Sequence, residues 1–365
     1  VNFENQYGVL DRALHRLAFS TTQAQLGLAD LERVLFGKEL RRVEELRPVL
    51  ITGLPRSGTT ALLEAFAGTQ MFGAHTYRDM PFVLCPMLWG TLAKPFRRRD
   101  TPRERAHADG IQISLDSPEA FEEVLWKAFF PKRYGGAVIP VWEDVKHRDF
   151  VKAFRDHTRR IVALRRRSGR HPRRYVSKNN MNMARIPVIW DALPDARVLV
   201  PFRDPVQHAA SLRHQHLRFT EMHARDPFAR RYMEAIGHYD FGANLRPIDF
   251  DGWVSGTPDL PGPEHLAYWV RYWIAAYRHV LRHEPRRKRL GLIRFETLGE
   301  RPDLTPLAQF VKGDPGDLNN RRRHFRAARP HEVDLEHVPG AWLAEARELY
   351  EQLSERCLFA RAESP

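Results

Sequence analysis

Between Gly53 and Thr60 the chain reads Gly-Leu-Pro-Arg-Ser-Gly-Thr-Thr. The two glycines have the G-x-x-x-x-G spacing of a loop that wraps a phosphate in backbone N–H groups. The next residue, however, is Thr59, where a nucleotide-hydrolysing loop has lysine. That lysine reaches the β and γ phosphates, which Mg²⁺ bridges. Here an arginine, Arg56, lies inside the loop instead, and Ser57, Thr59 and Thr60 add hydroxyl donors. A guanidinium can contact two oxygens of one tetrahedral anion. The pattern therefore implies one terminal anionic group, gripped by Pro55–Thr60 without metal.

A second polar set stands in Phe-Arg-Asp-Pro-Val-Gln-His-Ala-Ala-Ser, where Arg203 and Ser211 are eight residues apart. An arginine at a strand tip can clamp a phosphate, and a serine two turns down the next helix can donate from the side. Lys178, in Val-Ser-Lys-Asn-Asn, ends another strand-like run. His75 and Asp79 sit in Ala-His-Thr-Tyr-Arg-Asp-Met-Pro, and either could take a proton. Histidine needs little tuning for this; a carboxylate needs partial desolvation. Glu119 and Glu122 are reserve carboxylates, more readily read as acids favourable to a helix N-terminus. Arg78 could orient the base or make a surface ion pair.

These side chains need elements to hold them. Pro-Val-Leu-Ile-Thr-Gly at 48–53 reads as a buried parallel strand, and the helix after the loop turns Leu62, Leu63 and Phe66 inward. Val198, Leu199 and Val200 mark a strand before Arg203, with Asp204 as helix cap and Pro205 in the first turn. Arg-Tyr-Val-Ser-Lys and Arg-Leu-Gly-Leu-Ile-Arg-Phe-Glu-Thr-Leu read as further strands. Strands alternating with helices predict an α/β fold: three layers, P-loop-containing, with a mostly parallel central sheet and helices on both faces. Ligands in such sheets sit at the carboxyl ends of the strands.

The whole of 1–365 reads as one domain. Residues 1–45 hold two N-terminal helices, 8–20 and 22–36, with Leu10, Leu14, Leu17 and Leu28, Leu31, Leu35 as their packing faces. A helix is expected from Asp116 or Ser117 onward. Two stretches, 85–170 and 214–263, read as acceptor-side insertions or lids. Trp253, Tyr268, Trp269, Tyr272 and Trp273 could line an apolar or sugar pocket, or pack in the core as helical spacing favours.

The net charge of +13 suggests an anionic partner or a solvated arginine-rich surface. Apolar residues make up 43%, enough for a large core and against global disorder. Two distant cysteines, Cys85 and Cys357, form no metal-ligand spacing and point to a reducing compartment. No apolar run is long enough to span a bilayer, and the first residues lack a signal-peptide layout, so a soluble, cytoplasmic protein is expected.

The two motifs together resemble the sulfotransferases that use 3′-phosphoadenosine-5′-phosphosulfate. Leu54–Thr60 is similar to their 5′-phosphosulfate loop, and Arg203 with Ser211 to their 3′-phosphate pair. The order of the segments and the final Arg-Phe-Glu-Thr-Leu resemble the Golgi-type and bacterial branch, which includes tyrosylprotein and carbohydrate enzymes. The resemblance implies sulfuryl transfer to a hydroxyl or amine, with adenosine 3′,5′-bisphosphate as product and no metal. It implies that Lys178 supports the bridging oxygen and Arg56 the reacting group. Acceptors would be a small molecule, sugar, lipid or peptide tyrosine. The family's acidic base stands where this chain has His75 and Thr76, with Asp79 just beyond; because the family uses a carboxylate, the resemblance favours Asp79 over His75 as the base. The basic loop Asn319–Arg326 could close over the 3′-phosphate, as a late loop does in relatives. Two other classes stay open. A P-loop kinase would need a phosphate lysine and Mg²⁺ ligands. A nucleic-acid binder would rely on the net charge, although no zinc spacing, RNA-recognition signature or basic zipper appears.

Overall fold

The computed structural model describes residues 9–20, 22–44, 47–93, 103–104, 112–143, 145–283, 288–300, 303–326 and 329–360. Parts of the expected 85–170 lid, at 94–102 and 105–111, lie outside them.

Five parallel strands form the main sheet: β1 (Val49–Ile51), β2 (Phe72–Gly73), β3 (Arg174–Lys178), β4 (Arg197–Phe202) and β5 (Leu290–Arg294). Their spatial order is β2-β3-β1-β4-β5. β1 is wholly buried because both neighbours and both faces cover it, which is why it reads as an uninterrupted apolar run. The register pairs Ile51 with Lys178 on one side and with Leu199 on the other. The loop at Gly53, the end of β3 and the tip of β4 therefore lie side by side at the carboxyl edge.

Nine helices are used below: α1 (Val9–Ser20), α2 (Thr22–Leu35), α3 (Thr59–Gly68), α4 (Glu123–Phe129), α5 (Arg148–Arg167), α6 (Pro205–Arg225), α7 (Leu266–Arg282), α8 (Phe295–Glu300) and α9 (Gly340–Glu355). Helices cover both faces of the sheet; α3 and α5 pack on β3 and β2, whereas α6, α7 and α9 pack on one another beside β5. Because α5 packs on β3 and β2, the 148–167 part of the 85–170 stretch lies within the layered core. Residues 214–225 likewise continue α6 as one 21-residue helix capped by Asp204 Oδ1, which accepts from Gln207 N at 2.9 Å.

Three expectations fail locally. The helix expected from Asp116 or Ser117 starts at Glu123, because Pro118 pairs as a bridge with Thr76 and holds that stretch extended. The last strand stops at Arg294, and Phe295 begins a helix. The leucine face of α2 does not pack: Leu28, Leu31 and Leu35 are 38–58% exposed; on α1 Leu17 is exposed and Leu14 half-buried, and the Leu10 side chain lies outside the described residues. The buried face of α2 is instead Gln25, Ala29 and Glu32. Gln25 Oε1 accepts from Leu84 N (3.3 Å), while Glu32 accepts from Leu88 N (2.6 Å) and pairs with Arg160 (3.1 Å). Polar groups that meet unpaired N–H groups and a buried guanidinium outcompete leucine for that face.

Trp253, Tyr268, Trp269, Tyr272 and Trp273 are all buried, and Trp253 stacks on Tyr272 with ring centroids 5.1 Å apart. They are core. Cys85 and Cys357 are free and buried. Among the described residues, no helix is long and apolar enough to cross a membrane. Nor, among them, is any group of three or more His, Cys, Asp or Glu placed to hold a metal ion.

Candidate anion-binding and transfer site

The turn after β1 has an unusual backbone. Arg56 holds φ at 70° and Gly58 at 99°. The left-handed region costs an ordinary residue about 1–2 kcal/mol, so something must hold Arg56 there. His208, from α6, donates from Nε2 to Pro55 O at 2.8 Å. Burial, with the Arg203 charge adding to it, pushes His208 down to about 3, so it stays a neutral donor. Arg203 Nη1 donates to Arg56 O at 3.0 Å. Phe295 lies against Gly58 so closely that a Cβ there would be 2.1 Å from its Cδ2. Backbone of this kind, ending at the N-terminus of α3, turns successive N–H groups into one anion-sized concavity. Ser57 and Thr59 are buried in it, and Pro55 and Thr60 half-buried.

The two motifs touch. Arg56 Nε donates to Ser211 Oγ at 3.4 Å. Arg56 therefore shares a pocket with Arg203 and Ser211, whereas the sequence placed Arg56 and Arg203 at opposite ends of one ligand. Glu296 ties the pieces together: its Oε1 accepts from Asp204 N at 3.0 Å, and its charge faces Arg203. Sequence reading treated Glu296 as part of a strand; its position one residue past Phe295, which seals Gly58, was the available signal.

His75 and Asp79 lie elsewhere. Both are 2% exposed. Asp79 accepts from Thr76 N (3.0 Å), pairs with Arg165 and contacts His75 Nδ1 at 3.1 Å. The far side of His75 meets His157 at 2.7 Å. Burial alone would raise the Asp79 carboxyl, but the Arg165 charge and the His75 hydrogen bond outweigh it and hold it below the usual carboxylate range. A carboxylate so paired, and shut from solvent, is a poor proton acceptor for a bound substrate. Glu122 is also buried, accepting from Ser177, Tyr175, Asn182 and Trp126. Arg78 pairs with Asp116.

The charges of Lys178 and Glu119 instead act on a histidine that the sequence did not single out. His238 Nε2 lies 3.7 Å from Asp240, to which Asn180 Nδ2 also donates at 3.3 Å. Its ring stacks on Phe219 of α6, 5.6 Å apart and 9° from parallel. Burial holds the imidazole below its ordinary value; Asp240 and Glu119 pull it up, and Lys178 pushes it further down. The imidazole lies beside the end of β3, where Asn180 and Asp240 meet. Glu119 accepts from Tyr77 Oη at 2.5 Å and from Ala120 N at 2.7 Å, which occupies both its oxygens.

The basic loop Asn319–Arg326 packs toward the C-terminal end of α3: the Arg321 stem lies against Gly68 and His324 Nδ1 is 3.4 Å from Glu64. Its Phe325 ring meets Phe295, the side chain that seals Gly58 at the other end of that helix, with centroids 6.3 Å apart.

The sequence model of the Sulfotransferase family matches residues 48–246, more than half of the chain, from the start of β1 through α6 and past His238. No curated protein matches. Similar solved structures include sulfotransferase STF1 from Mycobacterium tuberculosis H37Rv (13% identity, covering 97% of this chain and 87% of that one, TM-score 0.46). STF9 from Mycobacterium avium has 14% identity, covers 99% and 97%, and has a TM-score of 0.47. A sulfotransferase from Alicyclobacillus acidocaldarius has 13% identity, covers 87% and 96%, and has a TM-score of 0.36.

Proposed function

Because the chain belongs to the sulfotransferase family, we propose that it moves the sulfuryl group of 3′-phosphoadenosine-5′-phosphosulfate to an acceptor hydroxyl or amine. The observation that carries this reading is the junction of the two motifs: Arg203 bonded to the Arg56 carbonyl, and Arg56 bonded to Ser211, beside a concavity of backbone N–H groups. The residues present fit such a nucleotide. A strained Arg56 backbone and a glycine sealed by Phe295 are what a loop wrapped on an anion requires. When bound, the nucleotide supplies an activated sulfuryl group on a phosphate leaving group.

Arg203, Ser211 and Arg56 hold the 3′-phosphate. The N–H groups of Pro55–Thr60 that the proline leaves, with Ser57, Thr59 and Thr60, hold the 5′ end. Lys178, at the tip of β3, offers its ammonium to the charge that develops on the bridging oxygen. His238 accepts the acceptor's proton, with Asp240 beside Nε2 stabilising the imidazolium and Phe219 fixing the ring plane. This assigns the base to His238 in place of Asp79 or His75. Positioning two reactants in one cleft and stabilising spreading negative charge supply the rest of the rate enhancement.

The test is thermal stabilisation by adenosine 3′,5′-bisphosphate against ATP with Mg²⁺, followed by an acceptor screen with the sulfate donor. Stabilisation by the bisphosphate without metal is expected. Preference for ATP with Mg²⁺ would instead favour a kinase.

A further inference from the structure

The fold brings two histidines over the same pocket, neither of them in the family's motifs. Gln207, Ser211, His214 and Arg218 fall at i, i+4, i+7 and i+11 of α6, one stripe on a single face. The chain returns across that stripe at His331. Gln207 Nε2 donates to His331 O at 3.2 Å, and Gln207 Oε1 accepts from His331 N at 2.7 Å. This two-point grip sets the His331 ring beside His214, with centroids 6.0 Å apart.

The charges around them are mostly positive. His331 faces His214, Arg203 and Arg56, and His214 faces Arg218 and Arg56. The carboxylates on this side are engaged: Asp204 caps α6, and Glu296 accepts from Asp204 N and faces Arg203. On its own segment, His331 is followed by Glu332 and preceded two residues earlier by Arg329.

We propose that His214 and His331 complete the phosphate pocket begun by Arg203 and Ser211, and that they bind a phosphomonoester dianion as imidazolium by taking up a proton. This rests on the nucleotide reading above. Without a ligand, burial and then the neighbouring cations hold both imidazoles below their ordinary value, so both are neutral near pH 7. A dianion placed among them reverses the sign of the local field and favours the charged form. Proton uptake is then the signature of a doubly charged group; a singly charged sulfate ester or phosphodiester is satisfied by the arginines. The site becomes selective for the 3′-phosphate by charge as well as by shape.

The experiment is calorimetric titration at pH 7.4 in buffers of different ionisation heat, with adenosine 3′,5′-bisphosphate and adenosine 5′-phosphate as probes. A phosphomonoester has its second pKa near 6, so at this pH the ligand is already mostly dianionic and uptake reports the protein. Wild type is expected to take up about half a proton or more with the bisphosphate, and little with the monophosphate. His214→Gln with His331→Gln should abolish that uptake and weaken bisphosphate binding about tenfold, more at pH 6 than at pH 8, while changing monophosphate affinity little. Tight bisphosphate binding without uptake, or uptake unchanged in the double variant, overturns the proposal. Arg203→Gln separates the two readings: if it removes the bisphosphate preference, the nucleotide reading stands whatever the histidines do. If wild type shows no preference for the bisphosphate, both readings fail.

Discussion

Replacing Gly58 with alanine tests whether the loop geometry is imposed by the fold. A Cβ at this position would lie 2.1, 2.2 and 2.8 Å from Cδ2, Cε2 and Cγ of Phe295, well inside contact distance. The ring cannot simply rotate away, since all three atoms belong to one edge. Holding alanine at a φ of 99° adds a strain of about 1–2 kcal/mol. Displacing the ring adds an overpacking cost of about 1–3 kcal/mol. The sum, roughly 2–5 kcal/mol, should appear in denaturant unfolding of Gly58→Ala. Phe295→Ala removes the clash but not the backbone strain. A double-mutant cycle should therefore recover the overpacking part, about 1–3 kcal/mol, and leave the rest. Nucleotide binding should fall in Gly58→Ala, because relief of the clash moves the N–H groups that line the concavity. If Gly58→Ala matches wild type in both stability and bisphosphate affinity, the argument for a pre-shaped anion loop is refuted.

Other outcomes can be checked independently. His238→Gln should lower kcat by about 10²–10⁴ with little change in bisphosphate affinity. Because the His238 pKa is depressed, the acid limb of the wild-type pH–rate profile should lie below the ordinary histidine range, and a profile unchanged in His238→Gln would sink this assignment. Lys178→Ala should reduce kcat about 10²–10³-fold while the nucleotide Kd holds, as measured by single-turnover rates. Arg203→Gln should weaken adenosine 3′,5′-bisphosphate by about 30-fold or more and adenosine 5′-phosphate far less. Burial, outweighing the Arg160 charge, raises the Glu32 carboxyl from 4.5 to about 7. Its contribution is full below pH 4.5 and is lost as pH rises through about 7, on the order of 3 kcal/mol in all. Unfolding free energies of Glu32→Gln should show a flatter pH dependence over this window than those of wild type.

The sheet was readable because its strands are buried on both sides and so appear as short apolar runs ending in Gly53, Lys178 and Arg203. The anion loop was readable because its constraints are local: glycine spacing, hydroxyl residues and a helix start lie within eight positions. The proton acceptor was not. His238 gains its character from Asp240, Lys178 and Phe219, which stand on separate segments and meet only in the folded chain. Asp79 looked suitable by type and position, but its partner Arg165 is 86 residues away. The inverted α2 has the same origin. Leucine spacing reports amphipathicity, yet the outcome was decided by what waits on the other surface: two main-chain N–H groups and Arg160.

The hydrogen bond from Arg203 to the Arg56 carbonyl spans 147 positions of chain. Together with the Arg56–Ser211 contact it makes the donor cleft a knot, with each strand of the knot pulled taut by the other. Engineering that swaps one motif for that of a relative, as if it were a detachable cassette, would slacken both. Variation at either place can be accepted only in step with the other, so the cleft must drift through sequence space as a single unit.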